Sequence, residues 1–131
     1  MKWLRRIAGV IAGMIIAAVL VQVAEMIVHA MHPYPAGMNE HDFAQIKKYV
    51  STLPIDALLL VLAGWLLGTI AGTFTAAKIG ATCATAYILG AILFCLGIVN
   101  AVIIPQPLWF TIASLVIYVG GAVVGARLGA A

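Results

Sequence analysis

Eleven side chains in this 131-residue sequence carry a formal charge, and all of them except Glu25 lie at or beyond the ends of four long apolar runs. Each run is close to the roughly 20 residues that carry a helix across the roughly 30 Å hydrocarbon core of a bilayer. In hydrocarbon the backbone must satisfy its own hydrogen bonds, which a continuous helix does within one segment. The expected fold is therefore an all-α membrane protein, with four transmembrane helices in a bundle. The runs cover 7–28, 55–77, 82–104 and 109–126, an outer loop covers 31–53, and 1–131 is one domain.

Composition excludes most other settings. With 65% hydrophobic and 8% charged residues and a mean hydropathy of +1.17, the chain would expose too much apolar surface in water, so its first partner is the lipid bilayer. The net charge of +3 does not argue for a nucleic-acid partner, because the basic residues sit at the ends of the runs, where topology and lipid headgroups explain them. Lys2, Arg5, Arg6, Lys78 and Arg127 fall on one side, and Lys47 and Lys48 on the other. The positive-inside rule then places both termini in the cytoplasm of a bacterium, in its inner membrane. Lys2 to Arg6 and Val28-His29-Ala30 have features of a secretory signal, yet the apolar stretch between them exceeds the usual length and contains Gln22 and Glu25. An uncleaved first helix is expected. Cys83 and Cys95 stand roughly 18 Å apart along one helix, too far to bridge, and are expected to pack as small apolar residues.

The outer loop opens on His32-Pro33-Tyr34-Pro35-Ala36-Gly37, whose prolines stop the first helix. Asn39 and Asp42 form a capping pattern, after which Phe43, Ile46, Tyr49 and Val50 recur opposite Glu40, Gln45, Lys47 and Lys48. A short amphipathic helix on the outer membrane surface is expected there. Ser51 or Thr52 is expected to cap the second helix, with Pro54 and Asp56 in its first turn.

Small residues mark the packing faces: Gly9, Gly13 and Ala17; Gly64, Gly68, Gly72 and Ala76; Gly121, Gly125 and Gly129. Spaced every four positions, each series is a smooth stripe that lets another backbone come close, as helices in lipid require. Ala77-Lys78-Ile79-Gly80-Ala81 and Ala126-Arg127-Leu128-Gly129-Ala130 end the second and fourth helices alike, and the same shift pairs Gly72 with Gly121. A parallel repeat of two helical hairpins would account for this.

On a helical wheel Gln22, Glu25, His29 and His32 fall within roughly 80°, centred roughly 140° from the Gly9, Gly13, Ala17 face. Glu25 stands out because a carboxylate in hydrocarbon is costly and is normally protonated, paired or beside water. Counted from Ile7, it lies roughly 27 Å along the helix, near the outer boundary. With His29 one turn on, it either closes the outer end through an i,i+4 pair or relays protons or cations. Glu25, His29, His32 and His41 are acceptable metal ligands, but their spacing matches no established motif, so neither metal nor cofactor is expected.

The remaining polar residues point to packing. Thr69, Thr73, Thr75, Thr82, Thr85 and Ser114 are expected to bond backbone carbonyls or neighbouring helices. Asn100, just before Pro105, is expected to bond the carbonyls which that proline frees, with contact to Glu25 as the alternative. Trp3, Trp109, Tyr34 and Tyr49 suit interfacial belts, whereas Trp65 sits near the middle of its helix.

Glu25-x-x-x-His29, His32-Pro33-x-Pro35-x-Gly37, Leu53-Pro54 and Pro105-x-Pro107-Leu108-Trp109 together resemble a group of small four-helix bacterial membrane proteins. The resemblance implies the fold and brings no activity. No nucleophile–base pair is present, so an enzyme is not expected. The leading expectation is a structural or accessory protein, packed through its glycine stripes in a homo-oligomer or with another membrane protein. The alternative is a small transporter or channel that uses the Glu25/His29 stripe for proton or cation coupling.

Overall fold

The computed structural model describes residues 2–33, 37, 42, 44–45, 48–49, 52–103 and 108–130. They include four long helices, α1 (Lys2–Met31), α2 (Ile55–Gly80), α3 (Cys83–Ile103) and α4 (Leu108–Ala130), with residues 44–45 and 48–49 also helical, and no strand among the described residues. With 30, 26, 21 and 23 residues, they are about 45, 39, 32 and 35 Å long. All four are long and apolar enough to cross a membrane.

The helices outrun the apolar stretches at their charged ends. α1 begins at Lys2, α2 continues past Lys78 and α4 past Arg127. Backbone bonding continues beyond the last apolar residue, and a basic side chain in a final turn favours the negative end of the helix dipole. Arg5 adds to this from α1, where its Nε donates to the Ile79 carbonyl of α2 over 3.1 Å. That contact sets the start of α1 beside the end of α2. Below, this end is the terminal end and the opposite one the loop end.

At the loop end the start of α2 differs from expectation. Pro54 is itself the N-cap, in extended conformation and without a side-chain cap, and Leu58 N–H donates to its carbonyl at 3.2 Å. Helical bonding thus begins at Pro54, which leaves Thr52 too early to reach the first free amides. The Thr52 hydroxyl instead donates to the Tyr49 carbonyl at 2.7 Å. Ser51 lies outside the described residues, as do Asn39 and much of the expected amphipathic helix. Asp42 does cap locally, its Oδ1 accepting from Ala44 N–H at 3.0 Å. α3 opens similarly, with Ala84 N–H donating to the Thr82 hydroxyl at 3.3 Å.

Between α2 and α3 the chain turns through Ala81, which is left-handed at φ 57° and ψ 30°. An L residue pays for its Cβ there, and Ala81 is exposed, so nothing else fixes its identity. Ala81→Gly is expected to stabilise the fold by about 0.5 to 1 kcal/mol, read as a raised unfolding midpoint in detergent.

α2 is the central helix. α1 packs along one side of it and α4 along another, while α3 fills in against α4, α2 and the start of α1. The small residues lie inside: Gly9, Gly13, Ala17 and Ala24 of α1 are buried, whereas Ile7, Ile11, Ile15, Val19 and Val23 are about half exposed on the opposite side. Large apolar residues outside and glycine inside reverse the arrangement of a water-soluble core, and they suit lipid as the surrounding solvent.

Register follows from the glycines. A Cβ on Gly9 would lie 2.8 Å from the Ala76 carbonyl oxygen, one on Gly72 would lie 2.7 Å from that of Gly13, and Gly64 faces Ala24. α1 and α2 are therefore antiparallel, with backbones touching. Gly121, Gly125 and Gly129 face Thr69, Thr73 and Ala77 in turn, so α4 runs parallel to α2 on a different face. Inside this packing the hydroxyls bond locally. Thr69 Oγ1 donates to the Trp65 carbonyl and Thr73 Oγ1 to that of Thr69, each at 2.7 Å, and Ser114 Oγ donates to Thr111 at 2.7 Å.

Residue size differs between the two ends. Ala77, Ala86 and Ala126 meet at the terminal end, where Cys83 Sγ donates to the Ala126 carbonyl at 3.7 Å. Leu58, Leu62, Trp65 and Phe110 form the cluster towards the loop end. Small residues draw the helices together at one end and bulky ones hold them apart at the other, which sets up the site.

Candidate functional site

α1 and α3 meet towards the terminal end, where Gly9 faces Thr85 and Gly13 faces Leu89. Towards the loop end the two helices border a cavity of about 250 Å³, which α2 and α4 also line. Met14, Val21 and Glu25 line it from α1, and Leu93, Leu96 and Asn100 from α3. Trp65 and Thr69 of α2 and Tyr118 of α4 complete the wall. Most of the lining is apolar. The exceptions are a carboxyl, an amide, a phenol and a threonine hydroxyl that already donates to its own helix.

No hydrogen bond or ion pair joins the Glu25 carboxyl to another described residue, and the same holds for the Asn100 amide and the Tyr118 hydroxyl. Glu25 and Tyr118 both line the cavity. The Tyr118 ring is held in place: it stacks on Trp65 with centroids 6.0 Å apart and planes 18° apart, and it lies over Gly97, where any side chain would collide with it. Trp65 in turn meets the Phe110 ring edge-on at 5.3 Å. Glu25, Asn100 and Tyr118 thus line one cavity, with the Tyr118 ring fixed by its packing on Trp65 and Gly97.

Ala24 abuts Gly64, which places Glu25 about 14 Å along α2 from Ile55. About 9 Å of α1 continue beyond Glu25 to Met31.

The polar stripe of α1 divides. Gln22 is exposed, Glu25 enters the cavity, and His29 and His32 belong to a separate cluster at the loop end. There the Tyr49 hydroxyl donates to the His32 carbonyl at 2.5 Å, and the Tyr49 ring meets His29 edge-on at 5.8 Å. His32 Nε2 is buried without a hydrogen-bond partner among the described residues. His29 thus has its ring contact with Tyr49, whereas Glu25 lines the cavity. No three His, Cys, Asp or Glu side chains gather as a metal site among the described residues, and His41 lies outside them.

Asn100 lines the same cavity as Glu25. Pro105 lies outside the described residues. The glycine stripes meet one another within the chain, Gly9, Gly13 and Ala17 against Gly68, Gly72 and Ala76, and Gly121 to Gly129 against the threonine face of α2. Sequence reasoning passed over Tyr118 altogether and left Trp65 without a role. The available signal was a tryptophan in the middle of an apolar helix, where no interface requires it.

No protein-family model matches the chain, and neither a curated protein nor a solved structure matches it.

Proposed function

We propose that this chain is a multi-pass protein of a bacterial inner membrane, with both termini cytoplasmic, and that it binds and translocates a small cation at Glu25. The convergence of Glu25, Asn100 and Tyr118 on one cavity carries this reading. A carboxyl group in hydrocarbon holds a proton or meets a cation, because an ionised, unpaired form there is costly. No Lys, Arg or His is among the residues that line the Glu25 cavity, so a cation drawn into it comes from outside. Asn100 and Tyr118 offer an amide oxygen and a phenol oxygen as further ligands, and a cavity of about 250 Å³ holds several waters or one small organic cation.

The orientation rests on Lys2, Arg5, Arg6, Lys78 and Arg127 gathering at the terminal end. It turns the Glu25 cavity towards the external side. The parallel run of α2 and α4 fits a repeat of two hairpins, although α1 packs on α2 more extensively than α3 does on α4.

Proteoliposomes test the reading. Wild type is expected to give a cation or pH-driven flux, and Glu25→Gln to lose it while retaining wild-type helicity. A flux that survives the substitution, or a wild type without flux, rejects it. Assembly with a second copy or another membrane protein is the remaining reading. Its motivating stripes are occupied within the chain, so it would rely on other faces, such as the open side of α4 at Gly120. Native mass spectrometry that finds only lone monomers removes it.

A further inference from the structure

The Glu25 cavity reaches the surface of the molecule between α1 and α3. Gly9 faces Thr85 and Gly13 faces Leu89, so the two helices run parallel. The same register carries Ala18 to about the level of Leu96, and Glu25 to about that of Asn100. Ala18 and Leu96 line the cavity and are exposed, whereas Glu25, Asn100 and Tyr118 are only partly so. Ala18 and Leu96 therefore form its mouth. Around them the surface carries Ile15, Val19 and Val99, large apolar side chains that are about half exposed. Leu96 lies about 20 Å from the start of α3 and about 10 Å from its end. The mouth thus opens within the apolar length of the helix, onto lipid hydrocarbon, and Glu25 lies about 10 Å further along α1 towards the loop end.

A cavity entered from hydrocarbon admits what dissolves there. A hydrated metal ion does not, because leaving water for a medium of low dielectric is far too costly for an isolated charge. A neutral amine does, and a carboxylic acid in apolar surroundings holds its proton until a base arrives. We infer that the site takes an organic amine from the bilayer through the α1–α3 mouth, and that Glu25 protonates it. The carboxyl O–H bond breaks, an N–H bond forms on the amine, and the ammonium–carboxylate pair carries no net charge. Each ion then has its partner beside it, and Met14, Val21 and Leu93 offer apolar contact to the alkyl groups. This inference rests on the reading of Glu25 as a cation site and adds the ligand class and its route.

Carbodiimide labelling of Glu25 in membranes, read by peptide mass spectrometry, separates route from site. Dicyclohexylcarbodiimide, which dissolves in hydrocarbon, is expected to label Glu25 about ten-fold or more faster than a water-soluble carbodiimide. Ala18→Trp and Leu96→Trp fill the mouth from α1 and α3 at exposed positions, and each is expected to slow the hydrophobic reagent to the lower rate. Val19→Trp, exposed beside the mouth but outside the lining, is expected to leave it unchanged. Triethylamine is expected to protect Glu25 at about one-tenth or less of the concentration that tetramethylammonium requires, having a neutral form and two more carbons to bury. Sodium ion is expected not to protect. The inference fails if both mouth variants label at the wild-type rate, if the water-soluble reagent keeps pace, or if tetramethylammonium protects as well as triethylamine. In each of those cases protection by tetramethylammonium still keeps the cation site. If neither compound protects Glu25, both fall together.

Discussion

Gly72→Leu is expected to separate α1 from α2 and destabilise the fold by about 3 kcal/mol or more, while Gly120→Leu leaves stability unchanged or slightly raised. Both are mid-helix glycines, and propensity alone would favour leucine at each by up to about 1 kcal/mol. Their surroundings reverse that preference at one of them. A Cβ on Gly72 would meet the Gly13 carbonyl oxygen at 2.7 Å and the Ala17 Cβ at 3.0 Å, atoms that cannot withdraw unless the helix moves. Gly120 has nothing within 4 Å of its missing Cβ and is exposed. Lipid supplies no hydrophobic drive to re-form the displaced contact, so α1 would be held mainly by its link to α2. Unfolding in a denaturing detergent series, followed by Trp65 fluorescence, gives both values. Equal effects of the two substitutions would refute the packing register.

Glu25→Leu is expected to abolish cation binding and at the same time stabilise the fold. A functional carboxyl set in an apolar wall without a partner is a liability to folding, since it must be desolvated or kept protonated. Replacing it with an aliphatic side chain of similar size removes that burden, and the gain is expected at about 1 kcal/mol. A carboxyl that served only to close the end of the packed helices would act oppositely, because its removal would cost stability. One thermal unfolding series with and without tetramethylammonium reads both effects. Wild type is expected to gain stability with ligand, and Glu25→Leu to start higher and show no response.

Much of the helical layer was legible in the order of residues, because lipid leaves few ways to arrange them. Charges confined to the ends of apolar runs define four helices, and glycines spaced by four mark where backbones meet. The choice of partner was not legible. A stripe reads the same whether it meets another helix of its own chain or a second subunit, and only the facing of Gly13 and Gly72 resolves it. Within the site, Glu25 was conspicuous as the lone charge inside a run, but a helical wheel groups residues by angle and cannot tell which neighbour lies opposite. Gln22 shares the arc of Glu25 yet is exposed, and His29 shares it yet meets Tyr49. Asn100 and Tyr118 reach the cavity from α3 and α4 through contacts distant in sequence. For Asn100, the nearby Pro105 offered a local explanation, and the cavity it lines was not visible from the sequence.

A hydrophobic carbodiimide gives the most direct check that the Glu25 cavity takes up a cation. The reagent modifies protonated carboxyl groups in apolar surroundings, and peptide mass spectrometry locates the adduct. Modification is expected at Glu25 in membranes, and saturating tetramethylammonium is expected to suppress it. An unmodified Glu25, or labelling indifferent to every cation tried, would contradict a cation site there.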